Sequence, residues 1–202
     1  MNATTGNRAR AGWAAASLAL ACLGGCGGPA AEDTLAIAGP TTASSTIVDL
    51  PAGPVSASAA LVESRLRAAG VRITAIDRDE GLITARSNGT RFVDCGTIFE
   101  TAGGRTVEHP GNAGRLVLTD PRNPAARLVR TLTAETSAGI GITRGVTNTV
   151  VVRQQHRVSI VVRARNGQVI SSETREFTDR GFARFEDGTI CRTSNAMNEA
   201  LL

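Results

Sequence analysis

The chain has 202 residues, and its 22 basic residues, all arginine, face 18 acidic ones for a formal net charge of +4. Those arginines are scattered and interleaved with Asp and Glu, which argues against the clustered basic face that a nucleic-acid partner needs. Tyrosine is absent and the single tryptophan is Trp13, so the aromatic platforms usual for stacking on sugars or single strands are missing as well.

The N-terminus divides as an export signal does. A polar start carries Arg8, Arg10 and no acid, an apolar run follows from Trp13 to Leu23, and small residues stand at the expected cut. The run is about half of the roughly 20 residues that span a bilayer as a helix, so it reads as a signal rather than a membrane anchor. Leu23-Gly24-Gly25-Cys26 resembles the lipobox of bacterial lipoprotein precursors: leucine three places before the cysteine, two small residues, then the cysteine that takes lipid before the signal is removed. The resemblance implies a signal peptide over 1–25, lipidation (palmitate included) at Cys26, and an exported chain held by more than one acyl group, as a single chain anchors only marginally. Gly27 stands where an aspartate commonly retains such proteins in the inner membrane, which implies the outer membrane, facing the periplasm. Two other readings stay open: Cys22 as the lipidated residue, and ordinary cleavage after Ala19-Leu20-Ala21 to a soluble product.

With the leader removed, 20 arginines face 18 acids, a net charge of +2. If Cys22 leaves with the signal and Cys26 carries lipid, Cys95 and Cys191 remain as one pair in a compartment where disulfides persist, and they are expected to be bonded. Residues 26–54, rich in Ala, Gly, Thr, Ser and Pro, read as a flexible tether reaching roughly 25 to 30 Å, with a short edge strand at Thr46 to Leu50 as the one ordered alternative. Residues 55–202 then form a single domain.

Ser56 or Ser58 can cap a helix that runs to Ala69, with Ala59, Val62, Leu66 and Ala69 on one face and Gly70 as its stop. Val71 to Ala75 and Leu82 to Arg86 alternate as strands around a turn at Asp77 to Gly81, and Asn88-Gly89 suits a two-residue hairpin turn. That turn sets Ala85 opposite Phe92 and Leu82 opposite Cys95, giving a three-stranded meander. Glu100 to Asn123 reads as loops apart from a short strand at Leu116 to Thr119. A strand from Leu128 to Ser137 precedes the glycine-interrupted Gly139 to Gly145, and the strongest strand, Val150 to Arg165, follows. Asn166-Gly167 turns it back through Gln168 to Phe177, pairing His156 with Phe177, Arg157 with Glu176 and Val158 with Arg175, and the many Ser, Thr and Glu residues there suit an edge. Ser194 can cap a last helix to Leu202, with Met197, Leu201 and Leu202 packed.

The expected fold is α+β: an antiparallel sheet of about five or six strands packed by one main helix, with a short C-terminal helix. Helix followed by antiparallel strands behind a lipobox and a tether, over Pro54 to Leu202, resembles the helix-grip domains of the C subunit of the outer-membrane barrel-assembly machinery. No binding residue is carried across.

Candidate chemistry is sparse. His156 shares a strand face with Val150, Val152, Val158 and Ile160 and reads as a hydrogen-bonded core histidine; His109, in a Gly/Pro loop, has no second ligand at a metal-binding spacing. Asp94-Cys95-Gly96 suggests a nucleophile beside an acid, yet a disulfide is the simpler role for the cysteine. Gly139-Ile140-Gly141 lacks the rest of a phosphate loop and reads as a bend or bulge, and Asp77, Asp79 and Glu80 read as a polar turn rather than a calcium site. No catalytic residue, metal or cofactor is expected. The sequence therefore suggests a non-catalytic envelope lipoprotein that binds a protein partner in assembly or maintenance, with a small-molecule or lipid carrier as the alternative.

Overall fold

A computed structural model describes residues 34–40 and 47–202; the expected signal peptide, Cys22 and Cys26 lie outside the described residues. Strands β1 (Thr34–Ala38) and β2 (Ile47–Leu50) precede helix α1 (Val55–Ala68) and the hairpin β3 (Arg72–Asp77) and β4 (Leu82–Asn88). After a 3-10 turn at Thr90–Phe92 come β5 (Val93–Asp94), β6 (Thr97–Ala102), β7 (Arg105–Pro110) and β8 (Arg115–Asp120). The chain ends with β9 (Asn123–Thr143), β10 (Asn148–Ala164), β11 (Val169–Thr178), β12 (Ala183–Arg184), β13 (Ile190–Thr193) and helix α2 (Ala196–Glu199).

The main sheet has seven strands in the order β11-β10-β9-β4-β3, with β2 beside β10 and β8 beside β9. Two three-stranded sheets, β1-β6-β7 and β12-β13-β5, complete a sheet-rich α+β fold with more strands than expected. Every pairing is antiparallel.

Helix α1 buries Ala59, Val62 and Leu66 against Ile83, Ala85, Ala138, Ile140, Val150 and Val152 on one face of the main sheet. It starts before the expected serine caps, after Pro54, and no side chain caps it. Ser58 instead lies inside the helix and its Oγ accepts a hydrogen bond from Asn148 Nδ2 at 2.7 Å. At the other end Gly70 takes a φ of +70°, and the N–H groups of Gly70 and Val71 reach the carbonyls of Arg67 and Leu66, both at 2.9 Å. This is the Schellman closure, for which a residue without Cβ is suited, and it brings buried Val71 next to buried Leu66.

Four expectations are corrected. Part of the expected tether belongs to the domain, because Leu35 and Ile37 alternate with smaller residues and pack on Ile98, Leu116 and Leu118, while Val48 and Leu50 enter the core under α1. Phe92 to Cys95 is not the third strand of a meander: Gly89 is extended at φ 174°, the following 3-10 turn drops Phe92 into the core, and β5 pairs with β13. Strand β9 takes the place beside β4 and pairs over Leu82 to Asn88, a longer ladder than Phe92 to Cys95 offered. Residues 97–110 are a hairpin closed by Gly103-Gly104, whose φ values of +57° and +78° fit the two-residue turn that twists with its strands. Finally, β9 runs unbroken through Gly139 and Gly141.

The pairings His156 with Phe177, Arg157 with Glu176 and Val158 with Arg175 are present as expected, and β11 is an edge of the sheet. Cys95 and Cys191 form a disulfide within a second core that includes Val93, Leu132, Val158, Phe177 and Phe185. Helix α2 is shorter than expected; Met197 and Leu201 are buried but Leu202 is exposed. Ser194 stands before it, its Oγ donating to the Arg91 carbonyl at 2.6 Å and accepting from the Ala196 N–H at 3.3 Å.

Candidate binding surface on the uncovered face of the sheet

Alternation along β9 and β10 assigns every side chain to one of two faces. His156 points inward and is wholly buried. Thr136 Oγ1 is 2.9 Å from its Nδ1, Thr193 Oγ1 is 2.9 Å from its Nε2, and the Phe177 ring stacks on it at 4.9 Å. Burial lowers its pKa to about 4, so the ring is neutral at physiological pH. With both nitrogens engaged by threonines and the residue wholly buried, it holds core strands together and has no free nitrogen for a substrate or metal.

His109 lies on β7, not in a loop, and its Nε2 is 3.1 Å from Glu100 Oε2. Glu100 Oε1 accepts from both the N–H and the hydroxyl of Thr119 at 2.6 Å, and Arg127 donates to that hydroxyl oxygen at 2.7 Å. Burial works to raise the Glu100 pKa, but the hydrogen bonds from Thr119 and His109 outweigh it and hold the carboxyl below its ordinary value. The network ties the β6–β7 hairpin to β8. Cys95 is in the disulfide, while Asp94 Oδ1 accepts the Gly96 N–H at 2.9 Å. Asp77 Oδ1 accepts the N–H groups of Asp79 and Glu80 at 3.1 Å, which is turn chemistry, and no group of three metal-type side chains clusters among the described residues. Gly139-Ile140-Gly141 is neither a phosphate cradle nor a bulge, since its register against β4 and β10 is unbroken and its backbone belongs to the ladders.

One charged side chain lies unexpectedly deep. Arg130, on the inner face of β9, donates to the Gly111 carbonyl at 3.1 Å and to Thr189 Oγ1 at 3.2 Å, with Asp187 Oδ2 3.4 Å from its Nε. Burial lowers its pKa and Asp187 works against that shift; these partners make it a structural bridge between β9 and the loop before β13.

Among the described residues, no helix packs on the other face of the main sheet. Along it runs a trough with β9 as floor. One groove of about 480 Å³ is lined by Thr84, Ser137, Gly139, Arg153, Gln155 and Thr178, with Asp179 and Arg180 at its end. A second, of about 460 Å³, continues past Leu82, Gly141 and Val151 and shares Thr84, Gly139 and Arg153 with the first. A smaller recess beyond Ser137 is edged by Arg86, Glu135, Arg157 and Glu176. The glycine end is apolar and the opposite end charged. Arg157 is paired with Glu176 at 3.8 Å, whereas among the described residues Arg86, Arg153 and Arg180 make no ion pair, and neither do Glu135 and Asp179.

No protein-family model, curated protein or solved structure matches the chain. The trough was not singled out by reading the sequence. Its signal was present in the alternation that exposes Arg153, Gln155 and Arg157 on β10, but the reading of Gly139 to Gly145 as an interruption hid the floor that sets them side by side.

Proposed function

We propose that the protein is an exported, lipid-anchored binding module of the bacterial envelope, acting at the outer membrane on a protein partner without catalysis. The observation that carries the binding half is the uncovered face of the seven-stranded sheet with its open trough. The anchoring half rests on Leu23-Gly24-Gly25-Cys26 and on the disulfide, which suits an oxidising compartment. A carrier enclosing its ligand between helix and sheet is less favoured, because Ala59, Val62 and Leu66 fill that interface and neither large groove takes a side chain from α1.

The start of β1 at Thr34 tightens this reading. Only residues 27–33 separate Cys26 from the domain, and seven residues span at most about 25 Å when fully extended. A lipidated Cys26 therefore keeps the domain next to the membrane instead of on a long leash. Growth with labelled palmitate tests the anchor: label and membrane association are expected to vanish in Cys26→Ser and persist in Cys22→Ser. Label lost only in Cys22→Ser moves the anchor to that residue, and an unlabelled parent protein overturns the lipoprotein reading.

A further inference from the structure

Gly139 and Gly141 sit two apart in a central strand of the main sheet. Glycine weakens a strand interior, and its usual justifications are a bulge, a tight bend of the sheet, a backbone conformation closed to other residues, or close approach of another chain or ligand. No bulge is present, since the register of β9 against both β4 and β10 is continuous across these residues. Neither residue is among the glycines with positive φ. A Cβ built on either meets no atom of the described residues within 4 Å. Their cross-strand neighbours, Thr84 and Arg153 for Gly139 and Leu82 and Val151 for Gly141, are not aromatic rings laid over the gap. Two justifications are left, curvature of the sheet and space kept open for something outside the domain, and the charged side chains lining the groove beside Gly139 favour the second.

From this we infer that the trough is the docking site for a single extended segment of a protein partner, aliphatic where it crosses the glycines and acidic where it passes Arg153 and Arg180. The inference rests on the binding-module reading and assigns it a surface. From Gly141 to Glu135 the floor runs about 20 Å at a strand rise of ~3.3 Å per residue, the length of some six extended residues. Leu82 and Val151 flank the glycine end and favour aliphatic side chains there. Farther along, Arg86, Arg153 and Arg180 are three cations without ion-pair partners among the described residues, against the two acids Glu135 and Asp179 likewise unpaired there, so a carboxylate is the complementary charge. The hydroxyls of Thr84, Ser137 and Thr178 and the amide of Gln155 line the path between them for hydrogen bonds to a peptide backbone.

The test uses the full lipidated chain in detergent and two acetylated eight-residue peptides bearing a neutral dye, one alternating valine and glutamate, the other valine and lysine. Fluorescence anisotropy is expected to show binding of the glutamate peptide and not the lysine peptide, with affinity about tenfold lower in Arg153→Glu. Gly139→Val fills the trough at a position with room for a side chain, so it is expected to abolish binding while leaving the thermal midpoint unchanged or raised. Equal binding of both peptides, binding of neither, or undiminished binding by Gly139→Val overturns the inference. So does a lowered midpoint in Gly139→Val, which assigns the glycines to the curvature of the sheet itself. A photo-cross-linker placed in cells at Gln155, at Ser172 on β11 or at Leu61 on α1 separates this inference from the reading beneath it. A partner captured from Gln155 and lost on adding Gly139→Val supports the trough; a partner captured only from Ser172 or Leu61 overturns the trough and leaves a binding module; no partner from any position overturns both.

Discussion

His156 illustrates how one residue is placed by a period of two. Val150, Val152, Gln154, Val158 and Ile160 alternate with Thr149, Val151, Arg153, Gln155, Arg157 and Ser159, so the histidine had to share the core face once β10 formed, and its buried neighbours bear that out. What the alternation did not contain is the identity of its partners, as Thr136 and Thr193 come from strands 20 and 37 residues away. The buried ring has a consequence for stability. Its pKa is 6.5 when unfolded and about 4 when folded, so between those values the unfolded chain holds more protons than the native one. Its contribution is then complete above about pH 6.5 and is lost as the pH falls toward 4, by about 3 kcal/mol. Urea unfolding at pH 7.5 and pH 4.5 is expected to show that loss in the parent and a markedly smaller one in His156→Gln, which is itself less stable at pH 7.5. Equal pH dependence in the two proteins contradicts the assignment.

At the scale of elements, hairpins were legible where a turn signal and the strand pattern pointed to the same partner. Asn166-Gly167 lies between two strands that alternate on both sides, and its pairing was predictable residue by residue. Asn88-Gly89 carried the same turn signal and still failed, because Phe92 gains more from burial in the core than from a place beside Ala85, and the distant β9 offers β4 a longer ladder. Gly103-Gly104 was the opposite case: a valid two-residue turn passed over because the Gly and Pro content of Glu100 to Asn123 reads as loop. Strand β1 shows why such composition misleads, for its two large apolar residues meet a small core of Ile98 from β6, Leu116 and Leu118 from β8, and Ala113 just before β8. Its seating depends on Gly96, which has a φ of +69° and whose Cβ, if present, would lie 1.9 Å from the Ala38 carbonyl oxygen. Gly96→Ala is therefore expected to dislodge the end of β1 and to speed proteolytic cleavage within residues 31–46, with the main sheet retained by circular dichroism. An unchanged cleavage rate counts against β1 as a seated strand.

For the whole molecule, the disulfide joins residues 96 apart and lies buried in the second core, which shares strands β9 and β10 with the helix-covered one. Closing so long a loop restrains the unfolded chain by about 4 to 5 kcal/mol in the chain-entropy model. The double variant Cys95→Ser and Cys191→Ser is expected to lose about 4 kcal/mol in denaturant unfolding, a large share of the net stability of one domain. A loss below about 1 kcal/mol shows that the native structure gains little from the bond. By itself the sequence determined what local chemistry can encode: the apolar stripe and glycine stop of α1, the two faces and the turn of the β10–β11 hairpin, and the inward histidine. Only the tertiary structure decided which strands lie side by side, that residues 34–38 and 47–50 belong to the domain, and that Gly139, Arg153 and Thr84 line one trough. The reason is physical: a strand satisfies its backbone groups with any partner of fitting length, and the choice among partners is made by the burial of side chains far apart in the chain, which no local pattern contains.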